Sequence, residues 1–151
     1  MDERAMRRTS LSLLALLCSA ASSPQQDEPP HCHQAGPYIV FFESDSAELS
    51  REARHTLDYV VAANEGACSW PMGWLVGHTD TRERPSLAST RTSAIWRYLQ
   101  THGWRIEAVG SKAYGARRPR VVTPPGVSER QNRRVEIFYS MMDGPGKPVL
   151  P

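Results

Sequence analysis

Asp80 and Arg91 carry the chemistry most readily legible in this chain. The carboxylate closes the run Leu75-Val76-Gly77-His78-Thr79-Asp80, and the guanidinium lies eleven residues further on. A carboxylate accepts charge-assisted hydrogen bonds from an ammonium, and a guanidinium grips a carboxylate through two parallel bonds. Together they suit a zwitterionic ligand end, an ammonium beside a carboxylate. The competing assignment is a plain surface ion pair between Asp80 and Arg91, which would contribute little. Further on, Asn132-Arg133-Arg134-Val135-Glu136 supplies two more guanidinium groups. If these open a strand, Arg133 and Arg134 point to opposite sides, so one can face a ligand while the other is solvated or structural.

The elements that must hold these residues follow from periodicity. Tyr38-Ile39-Val40-Phe41-Phe42 is β-branched and aromatic, the pattern of a buried strand. Ser50 can cap a helix that aligns Leu49, Ala53, Leu57, Val60 and Val61 on one face, with Gly66 just past its end. Trp74–Gly77 reads as a second strand, and Ser86 as the cap of a second helix with Leu87, Ala94, Ile95, Tyr98 and Leu99 inward. Residues 105–113 suggest a third strand and Val135–Tyr139 a fourth, separated by a polar connection over 115–132. The order is β-α-β-α-β-loop-β. Right-handed crossovers then place both helices on one face of a mixed sheet, an α/β two-layer sandwich.

The ends read differently. Residues 1–21 carry Arg4, Arg7 and Arg8, an apolar run over 11–17, and the small residues Ser19-Ala20-Ala21, which is the layout of a secretory signal. That run is too short to span a bilayer, which takes ~20 apolar residues. Cys18 raises lipid modification as an alternative, but Leu17 stands where such signals carry a small residue. Residues 22–37 form a Pro-rich linker, 38–140 the folded domain, and 141–151 a disordered tail. Cleavage after residue 21 removes three arginines and two acidic residues from totals of 18 and 16, leaving 15 basic and 14 acidic. So balanced a charge argues against a nucleic-acid partner.

Cys32 and Cys68 remain in the exported chain, an even count that favours a disulfide. The topology agrees, since Cys32 precedes the first strand and Cys68 follows the helix that runs back beside it. Closing that loop would constrain the unfolded chain by roughly 3–4 kcal/mol. A metal site from His31, Cys32, His33 and Cys68 lacks the ligand spacing of structural zinc, so no metal and no cofactor are expected.

On these elements the motifs resemble the OmpA-like C-terminal domain. The resemblance rests on Phe41-Phe42 leading into Ser46-Ala47-Glu48-Leu49, on Gly77-His78-Thr79-Asp80, on Leu87-Ala88-Ser89-Thr90-Arg91, on Tyr114-Gly115 and on Asn132-Arg133-Arg134-Val135-Glu136. It covers about residues 38–140. It implies non-covalent binding of peptidoglycan in the periplasm through the diaminopimelate of the stem peptide, with outer-membrane association left open. Asp80 would then meet the ligand's ammonium, Arg91 its carboxylate, and Arg134 would add a further arginine. Thr79, Phe42 and Asp45 are candidate pocket walls, while Asn132 is assigned to backbone groups around its turn.

The chain departs from the family between Asp80 and Arg91. The usual Gly and Asn are missing, and Thr81-Arg82-Glu83-Arg84-Pro85 makes a shorter loop. Such a loop could leave the pocket open, or Arg82 or Arg84 could substitute a contact. Two other functions compete. One is a wall-cleaving hydrolase using His78 and Asp80, but no metal spacing or serine-nucleophile motif accompanies them. The other is a periplasmic protein–protein adaptor that has lost the ligand. Oligomeric state is not legible.

Overall fold

The computed structural model describes residues 36–65 and 70–140. The signal, the linker up to residue 35, the tail and both Cys32 and Cys68 lie outside the described residues. Within them the order is β1 (Tyr38–Phe41), α1 (Arg51–Ala63), β2 (Met72–His78), α2 (Leu87–Thr101), β3 (Ala108–Gly115) and β4 (Arg134–Ser140), with a 3-10 turn at Arg130–Asn132 before β4. The four strands form one mixed sheet in the order β1-β4-β2-β3. β2 and β3 are parallel, and β4 runs antiparallel between β1 and β2.

Alternation along the strands sends Val40, Leu75, Val135, Ile137 and Tyr139 to one face, where they meet Leu57, Val60, Ile95 and Leu99 from the helices in a single core. Both helices therefore cover one face of the sheet, as the crossover rule requires. The hydroxyl of Tyr139 donates to the Val60 carbonyl and accepts from Trp104 Nε1 at 3.2 Å, fastening the middle of the sheet to α1. Asn64, at the end of α1, is buried; its side chain accepts from the Trp70 amide and donates to the carbonyls of Trp70 and Arg105.

Local chemistry explains most boundaries. Ser50 Oγ accepts from the Ala53 amide at 3.1 Å, so the first helix is capped as expected. Ser86 does not cap the second. Its backbone is already helical and its hydroxyl makes no capping bond. The carbonyls of Arg84 and Pro85 have taken the amides of Leu87 and Ala88, so the turn begins before Ser86 and leaves it no orphan N–H to satisfy. The third strand starts later than the expected 105, because the amides of Glu107 and Ala108 both bond the Pro71 carbonyl before the ladder with β2 begins.

One close approach positions the functional end. A Cβ on Gly77 would lie 2.5 Å from the Ala88 carbonyl oxygen and 2.9 Å from Thr92 Cγ2. Only a glycine lets α2 lie this near the tip of β2, which brings Arg91 to the residues that follow His78. Gly77→Ala should therefore push helix from strand and cost roughly 1–3 kcal/mol, measured as a lower urea midpoint.

Candidate functional site

The site forms where β2 ends and three loops converge on it. The ladder between β2 and β3 shifts register at Gly77/His78, and the Thr79 amide donates to the Gly115 carbonyl at 3.1 Å. The next residue, Asp80, is thereby carried inward, and it has no exposed surface. One oxygen, Oδ1, accepts the amides of Arg82 and Glu83 at 3.0 and 3.1 Å. The other, Oδ2, accepts from Ser128 Oγ at 3.0 Å, the Glu129 amide at 3.1 Å and Arg133 Nη1 at 3.1 Å. Five donors fill a carboxylate with about four lone-pair sites. Asp80 is thus the knot between its own loop, the 115–132 connection and the approach to β4.

Arg91 lies one turn into α2 and is likewise fully buried. Its guanidinium stands 5.0 Å from the centroid of Phe42. Nε donates to the Ser46 carbonyl at 2.9 Å, Nη2 to the Glu43 carbonyl at 3.0 Å and Nη1 to the His78 carbonyl at 3.2 Å. The remaining edge is held by Glu83. Its carboxylate takes Nη1 at 2.8 Å and Nη2 at 2.6 Å, a bidentate ion pair with no exposed surface on either side chain. The same carboxylate also accepts the amides of Asp45 at 2.9 Å and Asp80 at 3.3 Å.

Several expectations change against this geometry. Asp80 and Arg91 do not form a surface pair with each other; each is buried and paired elsewhere, Asp80 with Arg133 and Arg91 with Glu83. The arginine that reaches Asp80 is Arg133, not Arg134. Arg134 begins β4 beside Val135, which faces the core, so it points to the helix-free face and pairs with Glu136 at 2.7 Å. The two arginines diverge, and the one beside Asp80 is Arg133. Arg82 and Arg84 are exposed, and the residue this loop turns inward is Glu83.

Thr79 is buried, Phe42 is a core residue beneath Arg91, and Asp45 is exposed with its amide turned to Glu83. Asn132 braces backbone as expected, accepting from the amides of Arg120 and Val121 and donating to the Val121 carbonyl. The residue that sequence reasoning passed over is Glu83. Its signal was available in the spacing Asp80-x-x-Glu83. Each side chain takes the other's backbone N–H, the reciprocal pairing seen where a polar residue and a glutamate three positions later cap a helix.

His78 sits on the helix-free face, stacked on Tyr114 with centroids 5.8 Å apart and with Nε2 4.0 Å from Glu136 Oε1. Burial and the nearby Arg134 charge lower its pKa to about 4, against the opposing pull of Glu136. It is a neutral structural histidine at physiological pH. Among the described residues, no group of three or more His, Cys, Asp or Glu side chains is placed to hold a metal ion.

Burial would raise the Asp80 pKa, but the hydrogen bonds from Arg133, from the amides of Arg82 and Glu129 and from Ser128 outweigh it and hold the carboxyl below its ordinary value. Its contribution to stability is complete above the unfolded-state value of about 4 and is lost as pH falls through the lower folded-state value. Asp80→Asn should cost roughly 3–5 kcal/mol at neutral pH, because Arg133 is left buried and unpaired. Urea titrations at decreasing pH should show this gap narrowing only below about pH 4. For His78 the window lies higher. The unfolded chain takes up a proton near pH 6.5 that the folded chain refuses until about 4, so stability falls across that interval. His78→Gln should remove a loss of about 3 kcal/mol that builds up as pH falls between those limits, read from the same titrations.

The profile of the OmpA family matches residues 41–133. A peptidoglycan-associated lipoprotein of Pseudomonas aeruginosa is 38% identical, over 64% of this chain and 59% of its own length. One from Pseudomonas putida is 36% identical over 64% and 60%. The chain thus spans less than two thirds of these relatives. Among solved structures, the peptidoglycan-associated lipoprotein of Burkholderia pseudomallei superposes with a TM-score of 0.55 at 22% identity, covering 68% of this chain and 89% of that one. The C-terminal domain of Helicobacter pylori MotB gives 0.55 at 20% identity, covering 72% and 87%. These likenesses establish the same fold. With the profile matched from the last residue of β1 to the residue before β4, more than half of the sequence, the chain belongs to the OmpA family.

Proposed function

We propose that this domain associates non-covalently with peptidoglycan in the periplasm, as a binding module and not an enzyme, by engaging the diaminopimelate of the stem peptide. The observation that carries this reading is the cradle at the end of β2. A guanidinium and two backbone amides converge on one carboxylate, with the Asp80 carboxylate beside it. That is the donor set for the acid end of an amino acid, next to an acceptor for its ammonium. Family membership and the names of the two relatives support peptidoglycan as the partner. Arg91 is the residue assigned to the ligand's carboxylate and Asp80 the one assigned to its ammonium. Thr79, Phe42 and Asp45 are proposed as the walls of the site, Phe42 lying under the Arg91 guanidinium. Arg134, across the sheet, is proposed at most as a contact to a more distant part of the wall.

One observation favours a second reading, a periplasmic adaptor for a protein partner. Asp80 and Arg91 have their hydrogen-bonding capacity filled from within the chain.

Sedimentation with purified sacculi separates the two. The wall-binding reading expects the protein in the pellet and its release by free diaminopimelate. An Arg91→Lys variant, folded by circular dichroism, should be retained at least about tenfold less tightly, since lysine cannot reproduce the two-pronged grip. Protein that stays in the supernatant, or is retained but indifferent to diaminopimelate, refutes that reading. Release of soluble wall fragments would point instead to a hydrolase.

A further inference from the structure

The Arg91 cradle is already occupied, and by a residue of the same chain. Four donors from three segments meet the Glu83 carboxylate: both Arg91 Nη atoms, the Asp45 amide and the Asp80 amide. The Asp45 amide is aimed there by a left-handed backbone (φ 53°), a conformation that Asp tolerates better than most side chains. Glu83 and Arg91 have no exposed side-chain surface. This is a complete receptor for one carboxylate, and its occupant is supplied in cis.

We propose that Glu83 is an intramolecular stand-in for the ligand's carboxylate, so that a wall peptide binds by displacing it. The identity of the competitor rests on the peptidoglycan reading; the occupancy of the cradle does not. The tether is short, since Glu83 is three residues from Asp80, whose Oδ1 holds the Arg82 and Glu83 amides. A short tether gives the internal carboxylate an effective concentration in the millimolar range or above, which any free carboxylate must overcome. The loop also provides for the displaced group. Arg82 and Arg84 are exposed on either side of Glu83 and offer it countercharge once it leaves Arg91. Affinity for the wall is then set by the exchange of one carboxylate for another.

Melting and titration of wild type, Glu83→Ala and Glu83→Gln test this without reference to the wall. Glu83→Ala should melt lower than wild type and recover with added sodium formate beyond the effect of equal sodium chloride, with no such difference in wild type. It should bind meso-diaminopimelate at least about tenfold more tightly than wild type. Glu83→Gln preserves shape, covers the case in which the alanine variant does not fold, and should also gain affinity, because a neutral amide is the weaker occupant. A folded variant that gains neither formate recovery nor diaminopimelate affinity overturns the proposal. Sacculus sedimentation distinguishes the two readings. Wild type retained as tightly as Glu83→Ala removes the displacement and keeps wall binding. Formate recovery with no retention of any variant keeps the occupied cradle and removes wall binding.

Discussion

A charge without solvent contact is tolerated only where its hydrogen-bonding capacity is met, because desolvation of an ion costs several kcal/mol that an imperfect partner set does not return. Asp80 imposes this condition on the domain. It has no exposed surface, and the donors that meet its charge come from its own loop, from Ser128 and Glu129 in the long connection and from Arg133 ahead of β4. The long connection has no ladder of its own to fix it, so its anchors are these bonds, those of Asn132, and those of Thr81 to the carbonyls of Pro124 and Val127. The conformation of the connection that follows β3 is thereby tied in large part to one carboxylate at a strand tip.

Arg91 does the same work for the opposite side of the site. It collects carbonyls from the β1–α1 loop and from His78, over the ring of Phe42, and leaves one bidentate edge for Glu83. The two networks meet through the reciprocal Asp80–Glu83 backbone bonds. Such coupling means that a change at either carboxylate is felt by both networks. The missing Gly and Asn of the loop are therefore not simply a deletion. A shorter loop with a glutamate at its centre reaches the arginine it precedes.

The sheet and helices were legible because their signals are local. Alternating Val40, Leu75 and Ile137 and the spaced Leu57, Val60, Ile95 and Leu99 state which face is buried before any partner is known. Ser50 caps its helix for the same reason, its hydroxyl needing only an amide three residues ahead. Ser86 misled because the preceding Arg84 and Pro85 carbonyls had already begun the turn. The choice between Arg133 and Arg134 was not local either. It depended on Asp80 arriving from more than fifty residues away.

The sequence by itself determined the layered α/β architecture, most of the apolar faces that meet in its core, and the delivery of Asp80 to a strand tip and Arg91 to the first turns of a helix, since periodicity and strand–helix order act over short spans. Only the tertiary structure decided who partners whom. Asp80 takes Arg133, Arg91 takes Glu83, and Arg134 turns away to Glu136. Charges of either sign have many admissible partners along a chain, and burial selects among them by the loop arrangement that pairs each buried charge with an opposite one.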